Sequence, residues 1–221
     1  MPFNPNQPRD AGGKWTKGKV AGGAVGAALV ATLMSAAVGG DVGTSIGAGL
    51  DAASSQSTAD AETASSREAA KKGNDTEAWR RMALKEIKKD VQRQLQCAVQ
   101  SYGQVRQFFV RHPCDKLDQK LFAVSDPKGD VVAGLVMWVK MPSSALAAQL
   151  KQLEDTYGTG DVTPFGTEVL ELGSFRFTGK HYKSRLDGSL VVIAETEPAH
   201  GQPSNTLLKN VAEVADVLPP L

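Results

Sequence analysis

Hydrophobic and polar positions divide the chain into three stretches. Residues 20–40, VAGGAVGAALVATLMSAAVGG, hold no charged side chain, and their bulkier members Leu29, Val30, Leu33 and Met34 sit near the middle. Residues 41–75 are dominated by Ser, Ala, Thr, Asp and Gly, with few apolar side chains larger than Ala. From Thr76 onward bulky apolar residues recur in periodic order. Trp79, Ala83, Ile87, Val91, Leu95, Ala98 and Tyr102 are spaced by three or four, which predicts one face of a long amphipathic helix capped by Asp75 or Thr76. Its other face, with Arg80, Arg81, Lys85, Lys88, Lys89 and Arg93, reads as solvated, or as a surface for anionic lipid. The pattern falters at Ser101-Tyr102-Gly103 and resumes with Val105, Phe108 and Phe109 before His112-Pro113-Cys114. Gly is costly inside a helix, and a residue before Pro avoids helical geometry.

After Cys114 the pattern runs twice. Residues 120–125 and 131–140 predict a hairpin around the turn Asp126-Pro127-Lys128-Gly129, and Pro142-Ser143-Ser144 opens a helix with Leu146, Leu150, Leu153 and Tyr157 inward. The second copy has strands at 168–172 and 174–184, a turn at Asp187-Gly188, and a strand at 189–196. Pro203-Ser204-Asn205 then opens a helix carrying Leu207, Val211, Val214 and Ala215. The expected fold is α+β: a long N-terminal helix, then two β-hairpin–helix units forming one antiparallel sheet with helices on one face. Its domain organisation is a basic cytoplasmic tail (1–19), a transmembrane helix (20–40), a flexible linker (41–75) and an α+β domain (76–221).

Composition supports this division. Apart from Phe3, Trp15 and Trp79, every Trp, Tyr and Phe lies after residue 100. A packed core needs bulky side chains, so it belongs to the C-terminal part. Net charge is +1, and residues 97–221 carry a small acidic excess, which argues against nucleic acid as a partner.

Residues 20–40 are long enough to cross about 30 Å of hydrocarbon, although Ala and Gly favour insertion weakly. Arg9, Lys14, Lys17 and Lys19 precede them, and Asp41, Asp51, Asp60 and Glu62 follow. That asymmetry places the N-terminus in the cytoplasm and the domain outside, with lipid as the partner of the span. Gly18, Gly22 and Gly26 are spaced by four, as are Gly39, Gly43 and Gly47, a pattern that permits close helix–helix self-association in lipid and that an Ala/Gly-rich tract also yields by chance. Two alternatives remain: a signal cleaved near Ser35-Ala36-Ala37 with secretion, and a soluble tract in a cytoplasmic protein.

Candidate chemistry is sparse. Cys97 and Cys114 are the two cysteines, and His112, His181 and His200 the three histidines, without metal-ligand spacing. A Cys97–Cys114 disulfide requires a bend near Gly103, because a straight helix would hold the sulfurs about 20 Å apart. The alternative is a pair of free, buried thiols. Lys180, His181, Lys183 and Arg185, with Tyr182 between them, could bind an anion or protect an edge strand by charge. Glu195 and Glu197 share a strand face and suit acid–base work or an ordinary strand end. Tyr157-Gly158-Thr159-Gly160-Asp161 follows a helix, so it reads as a helix end and not as a phosphate loop. No cofactor and no metal are expected.

Two segments carry a resemblance. Cys97-Ala98-Val99-Gln100-Ser101-Tyr102-Gly103-Gln104-Val105-Arg106 with Phe108-Phe109 and His112-Pro113-Cys114, together with Gly158-Thr159-Gly160, Phe177-Thr178-Gly179 and Ala194-Glu195, resembles actinobacterial proteins in which an Ala/Gly-rich apolar stretch precedes the domain. The resemblance implies a shared domain and assigns no site residue. Asn6-Gln7-Pro8-Arg9-Asp10-Ala11-Gly12-Gly13-Lys14-Trp15-Thr16 is similar to a short motif of phage morphogenesis and portal-type proteins, which implies a mobile-element origin. The resulting expectation is a membrane-anchored extracytoplasmic binding or interaction module with a protein or small-molecule partner. The alternatives are a cytoplasmic phage- or plasmid-encoded accessory protein, and a small hydrolase or ligand-binding domain using His181 and Glu195.

Overall fold

The computed structural model describes residues 46–156, 158–173 and 175–221. The expected span at 20–40 and the glycines Gly18, Gly22 and Gly26 lie outside the described residues. Within them no helix is long and apolar enough to cross a membrane. Five α-helices and five strands are present among the described residues: α1 (Ile46–Lys71), α2 (Asp75–Arg81), β1 (Lys85–Gln92), α3 (Gly103–Arg111), β2 (Lys116–Ser125), β3 (Val131–Lys140), α4 (Ser144–Glu154), β4 (Tyr182–Asp187), β5 (Leu190–His200) and α5 (Asn205–Asp216). The strands make one antiparallel sheet in the order β1-β2-β3-β5-β4.

The expected α+β class and the two hairpin–helix units are present. Local signals explain why. Asp126 Oδ1 accepts the N–H groups of Lys128 and Asp130, both at 2.9 Å, and so closes the β2–β3 turn. Ser143 and Ser204 cap α4 and α5 by accepting the N–H groups of Leu146 and Leu207.

Helices lie on both faces of the sheet, which corrects the expectation of a single covered face. On one side α1, α2 and α5 pack Ala69, Ala70, Trp79, Leu208, Val211 and Ala215 against Phe122, Val124, Val136, Trp138 and Val192. On the other, α3 and α4 pack Val105, Phe108, Phe109, Ala147 and Leu150 against Leu117, Leu121, Leu135, Met137 and Ile193. Strand β3, VVAGLVMWVK, contains the cause: its apolar residues do not alternate with polar ones, and every residue but Lys140 is buried. Such a strand requires cover on both faces.

The long helix predicted from Trp79 to Tyr102 is also corrected. Helix α2 ends at Arg81, and 85–92 form the edge strand β1. The Leu84 N–H reaches the Trp79 carbonyl (2.9 Å) and the Ala83 N–H the Arg80 carbonyl (3.0 Å), a Schellman closure with Ala83 at φ 54°. A spacing of four is even, so Ala83, Ile87 and Val91 fit a strand face as well as a helix face. Pairing with β2, whose outer edge otherwise lacks backbone partners, decides between them.

Residues 46–71, expected inside a flexible linker, are helical. The C-terminal end of α1 buries Thr63, Ser66, Ala69 and Ala70, so small side chains let this helix approach α2 and α5 closely. Strands expected at 168–172 and 174–184 are likewise revised. Thr167–Leu170 is a 3-10 turn, and pairing with β5 begins only at Tyr182.

Two contacts tie α2 to the sheet. Trp79 stacks on Phe122 with ring centroids 5.1 Å apart, and Phe122 lies over Gly134, where a Cβ would overlap the ring. The buried Lys120 ammonium pairs with Asp75, the first residue of α2, and lies 3.9 Å from Glu86. Breaking a buried pair costs more than forming it gains, so this contact fixes where α2 sits.

Ala83 occupies a left-handed conformation that glycine adopts without strain. The Ala83→Gly variant should gain about 1 kcal/mol of stability in urea unfolding. A loss of stability would show that α2 does not close in this way.

Candidate functional site

Segments 100–105 and 159–163 clasp each other along the face covered by α3 and α4. Tyr102 donates its N–H to the Asp161 carbonyl (3.1 Å), and Thr163 donates to the Gln100 carbonyl (2.7 Å). Helix α3 has no side-chain cap at its start. Instead the Thr159 carbonyl accepts from Gln104 (2.5 Å) and Val105 (3.3 Å), two of the first-turn N–H groups that a helix leaves unmet. Gly103 (φ 63°) and Gly160 (φ 105°) allow the approach. A Cβ on Gly103 would lie 2.6 Å from the Thr159 oxygen, and one on Gly160 would overlap the Tyr102 carbonyl. The Gly-Thr-Gly loop thus caps α3, which also ends the phosphate-loop reading.

This turn brings the cysteines together. Cys97 and Cys114 form a disulfide with Cα atoms 6.2 Å apart. The chain reverses at Ser101–Gly103 and α3 runs back towards Cys114, so the bend expected at Gly103 and the bridge occur together.

Past the clasp, residues 161–173 and 175–179 form a strap over the sheet, held by three polar side chains of the sheet face below. Gln119 donates to the Thr163 carbonyl (2.8 Å) and accepts from the Phe165 N–H (2.9 Å). Glu197 accepts from the N–H and the hydroxyl of Thr178, and Glu195 from the Gly179 N–H at 3.2 Å. The carboxylate pair considered for acid–base work therefore anchors backbone. Gln119 stands between Asp118 and Lys120 and carries no motif, and its one signal in the sequence is the strand alternation that places it on the same face as Leu117 and Leu121.

Strap and clasp enclose a cleft of about 520 Å³, lined by Tyr102, Leu135, Asp161, Val162, Thr163, Pro164, Thr167, Phe175, Arg176, Phe177 and Glu195. A second, more open cavity of about 650 Å³ lies beside the disulfide, between residues 94–98, Phe109, Val110 and residues 113–116. Only the first combines aromatic walls with a buried ionisable group, the usual composition of a ligand pocket.

The proposed anion site is dispersed. Lys183 pairs with Glu213 (3.1 Å), and Arg185 donates to the Asp216 carbonyl (2.7 Å) and lies 3.6 Å from Asp187. His181 is buried, with Nε2 3.0 Å from Asn205 Oδ1 at the start of α5, while Lys180 is exposed. Strand β4, which carries Lys183 and Arg185, is an edge of the sheet. His181 turns to the α5 face and Glu195 to the opposite face, so the pair invoked for hydrolysis does not share a pocket. Among the described residues no group of three or more His, Cys, Asp or Glu side chains is placed to hold a metal ion.

Asp216, the last residue of α5, is mostly buried, and burial pushes its carboxyl up from 3.8 to about 6, against the opposing pull of Arg185, Arg67, Lys183 and Lys151. Its place among the C-terminal carbonyls of the helix acts in the same direction. A raised carboxyl in the folded state makes ionisation costly. The native state is therefore most favoured below about pH 4 in this respect and loses that advantage as pH rises through about 6. The Asp216→Asn variant should be more stable at pH 7.5 by up to about 3 kcal/mol, with the difference vanishing near pH 4. Urea titrations at the two pH values check this, and a pH-independent difference would refute it. Separately, Gly160→Ala should cost about 2 kcal/mol or more and speed amide exchange at Gln104 and Val105, because the clasp leaves no room for a methyl group. Wild-type exchange in that variant would rule the clasp out.

No family model, curated protein or solved structure matches the chain.

Proposed function

We propose that this chain is a membrane-tethered binding domain displayed outside the cytoplasm, which takes its ligand in the cleft beneath the strap. The observation that carries the reading is the Cys97–Cys114 disulfide. Bridges of this kind persist in oxidising compartments and are rare in the cytosol. The charge asymmetry around residues 20–40 supports the same orientation, with the basic tail inside and lipid contacting the apolar run. The cleft supports binding, and the separation of His181 from Glu195 weighs against hydrolysis.

Intact cells expressing the full chain test the orientation. Free thiols are first blocked with a permeant reagent, the cells are treated with an impermeant phosphine, and the chain is denatured and labelled with a polymer-linked maleimide. The expected result is a double mass shift only after phosphine treatment, in protein that stays with membranes through carbonate washing. Thiols already blocked before reduction, or release into the wash, would overturn the reading.

A further inference from the structure

The structure assigns a second site to the more open cavity: the Cys97–Cys114 bridge in its wall exchanges with the thiol of a cysteine peptide with apolar neighbours, which is captured on Cys114. This inference goes beyond the ligand cleft and does not rest on it. Both cysteines line the space of about 650 Å³, so the bridge forms part of its wall. The two are unequally placed. Cys97 is 4% exposed and belongs to the apolar cluster of the α3–α4 face, whereas Cys114 is half-buried between exposed Pro113 and Asp115. A thiol entering the cavity therefore meets Cys114 first, and access helps to set both the rate and the site of exchange. The step balances within itself. The peptide thiol gives its proton to water and attacks Cys114 Sγ as the thiolate. The Sγ–Sγ bond breaks, and its electron pair leaves on Cys97 Sγ, which takes up a proton. One S–S bond forms for the one lost, so no outside oxidant is required. Cys97 is left as a neutral thiol, a small apolar group that suits its cluster.

The cavity wall selects the carrier of the thiol. Leu95, Ala98, Phe109, Val110 and Pro113 line it, and Val110 is 67% exposed. Val99, close to Cys97 in the chain, is also 67% exposed. Apolar side chains beside the thiol would cover this surface, a gain that a small charged thiol such as glutathione does not make. Asp115 and Lys116 are the charged residues of the lining and are opposite in sign, so the wall has no net formal charge to draw an ion in. Gln94 and Gln96, both exposed, bring amide donors and acceptors to a peptide main chain. Other contacts hold the chain around Cys97 when the bridge opens. Leu95 donates its N–H to the Leu117 carbonyl (2.9 Å), Gln94 donates its N–H to Asp118 Oδ1 (3.0 Å), and the clasp fixes the segment beyond.

Two thiols test this on the oxidised full chain under native conditions: the capped peptide acetyl-Leu-Cys-Phe-amide, and glutathione at equal thiolate concentration. Each reaction is quenched with acid at intervals and mapped by mass spectrometry. The peptide should be found on Cys114 with a free thiol on Cys97, and it should react about fivefold or more faster than glutathione. Val110→Ser removes exposed apolar surface from the wall; it should slow the peptide about threefold and leave the glutathione rate unchanged. Circular dichroism reports whether this variant folds, and should it fail, the mapping and the two-thiol comparison on the unaltered chain decide. Adduct on Cys97, equal rates for the two thiols, faster reaction with glutathione, a folded Val110→Ser variant with unchanged peptide rate, or no adduct at about 10 mM thiol would each overturn the assignment. Such a failure would leave the bridge as a structural link and the cleft untouched.

Discussion

Of the ten residues of β3, only Lys140 meets water. A strand that is apolar on both sides forces cover on both sides, and the remaining architecture answers that demand. Strands β2 and β5 flank it with nearly unbroken burial of their own. One face receives α1, α2 and α5, where the Phe122 ring fills the space left by Gly134 and carries Trp79 on its outer side. The other receives α3 and α4, which do not cover it fully. The uncovered part of that face is closed by the strap, and the cleft is what remains beneath it.

The strap shows how a loop is held in a fold without regular pairing. Residues 175–181 could have extended β4 along β5. Glu195 and Glu197 compete for them, drawing the N–H groups of Thr178 and Gly179 onto carboxylates. Hydrogen bonds to a charged acceptor are stronger than neutral ladder bonds, so pairing starts late, at Tyr182. The same bonds hold Phe175 and Phe177 over the cleft.

Features set by neighbouring residues were legible in the sequence: the Asp126 turn, the serine caps at 143 and 204, and the two hairpin–helix units. Features decided by distant partners were not. Ile87 and Val91 carry a spacing that serves a helix or a strand, and only the open edge of β2 selects the strand. Helices on both faces were in fact signalled by VVAGLVMWV, whose lack of alternation means two buried faces. Of the candidate site, the cysteine pair and its dependence on a bend at Gly103 could be stated beforehand. Glu195 was recognised as a chemical group but not as an anchor, because its partner Gly179 reaches it only through the folded strap.

The contact of Gly103 with Gly160 has a consequence for descent. Each glycine is required by the backbone of the other, so the two positions behave as a single inherited character despite their separation along the chain. A lineage that replaced one would have to reroute the opposite segment in the same step. Shared ancestry with this domain should therefore be sought in the joint retention of both glycines, together with the cysteines that bracket the first, more than in any contiguous run of identical residues.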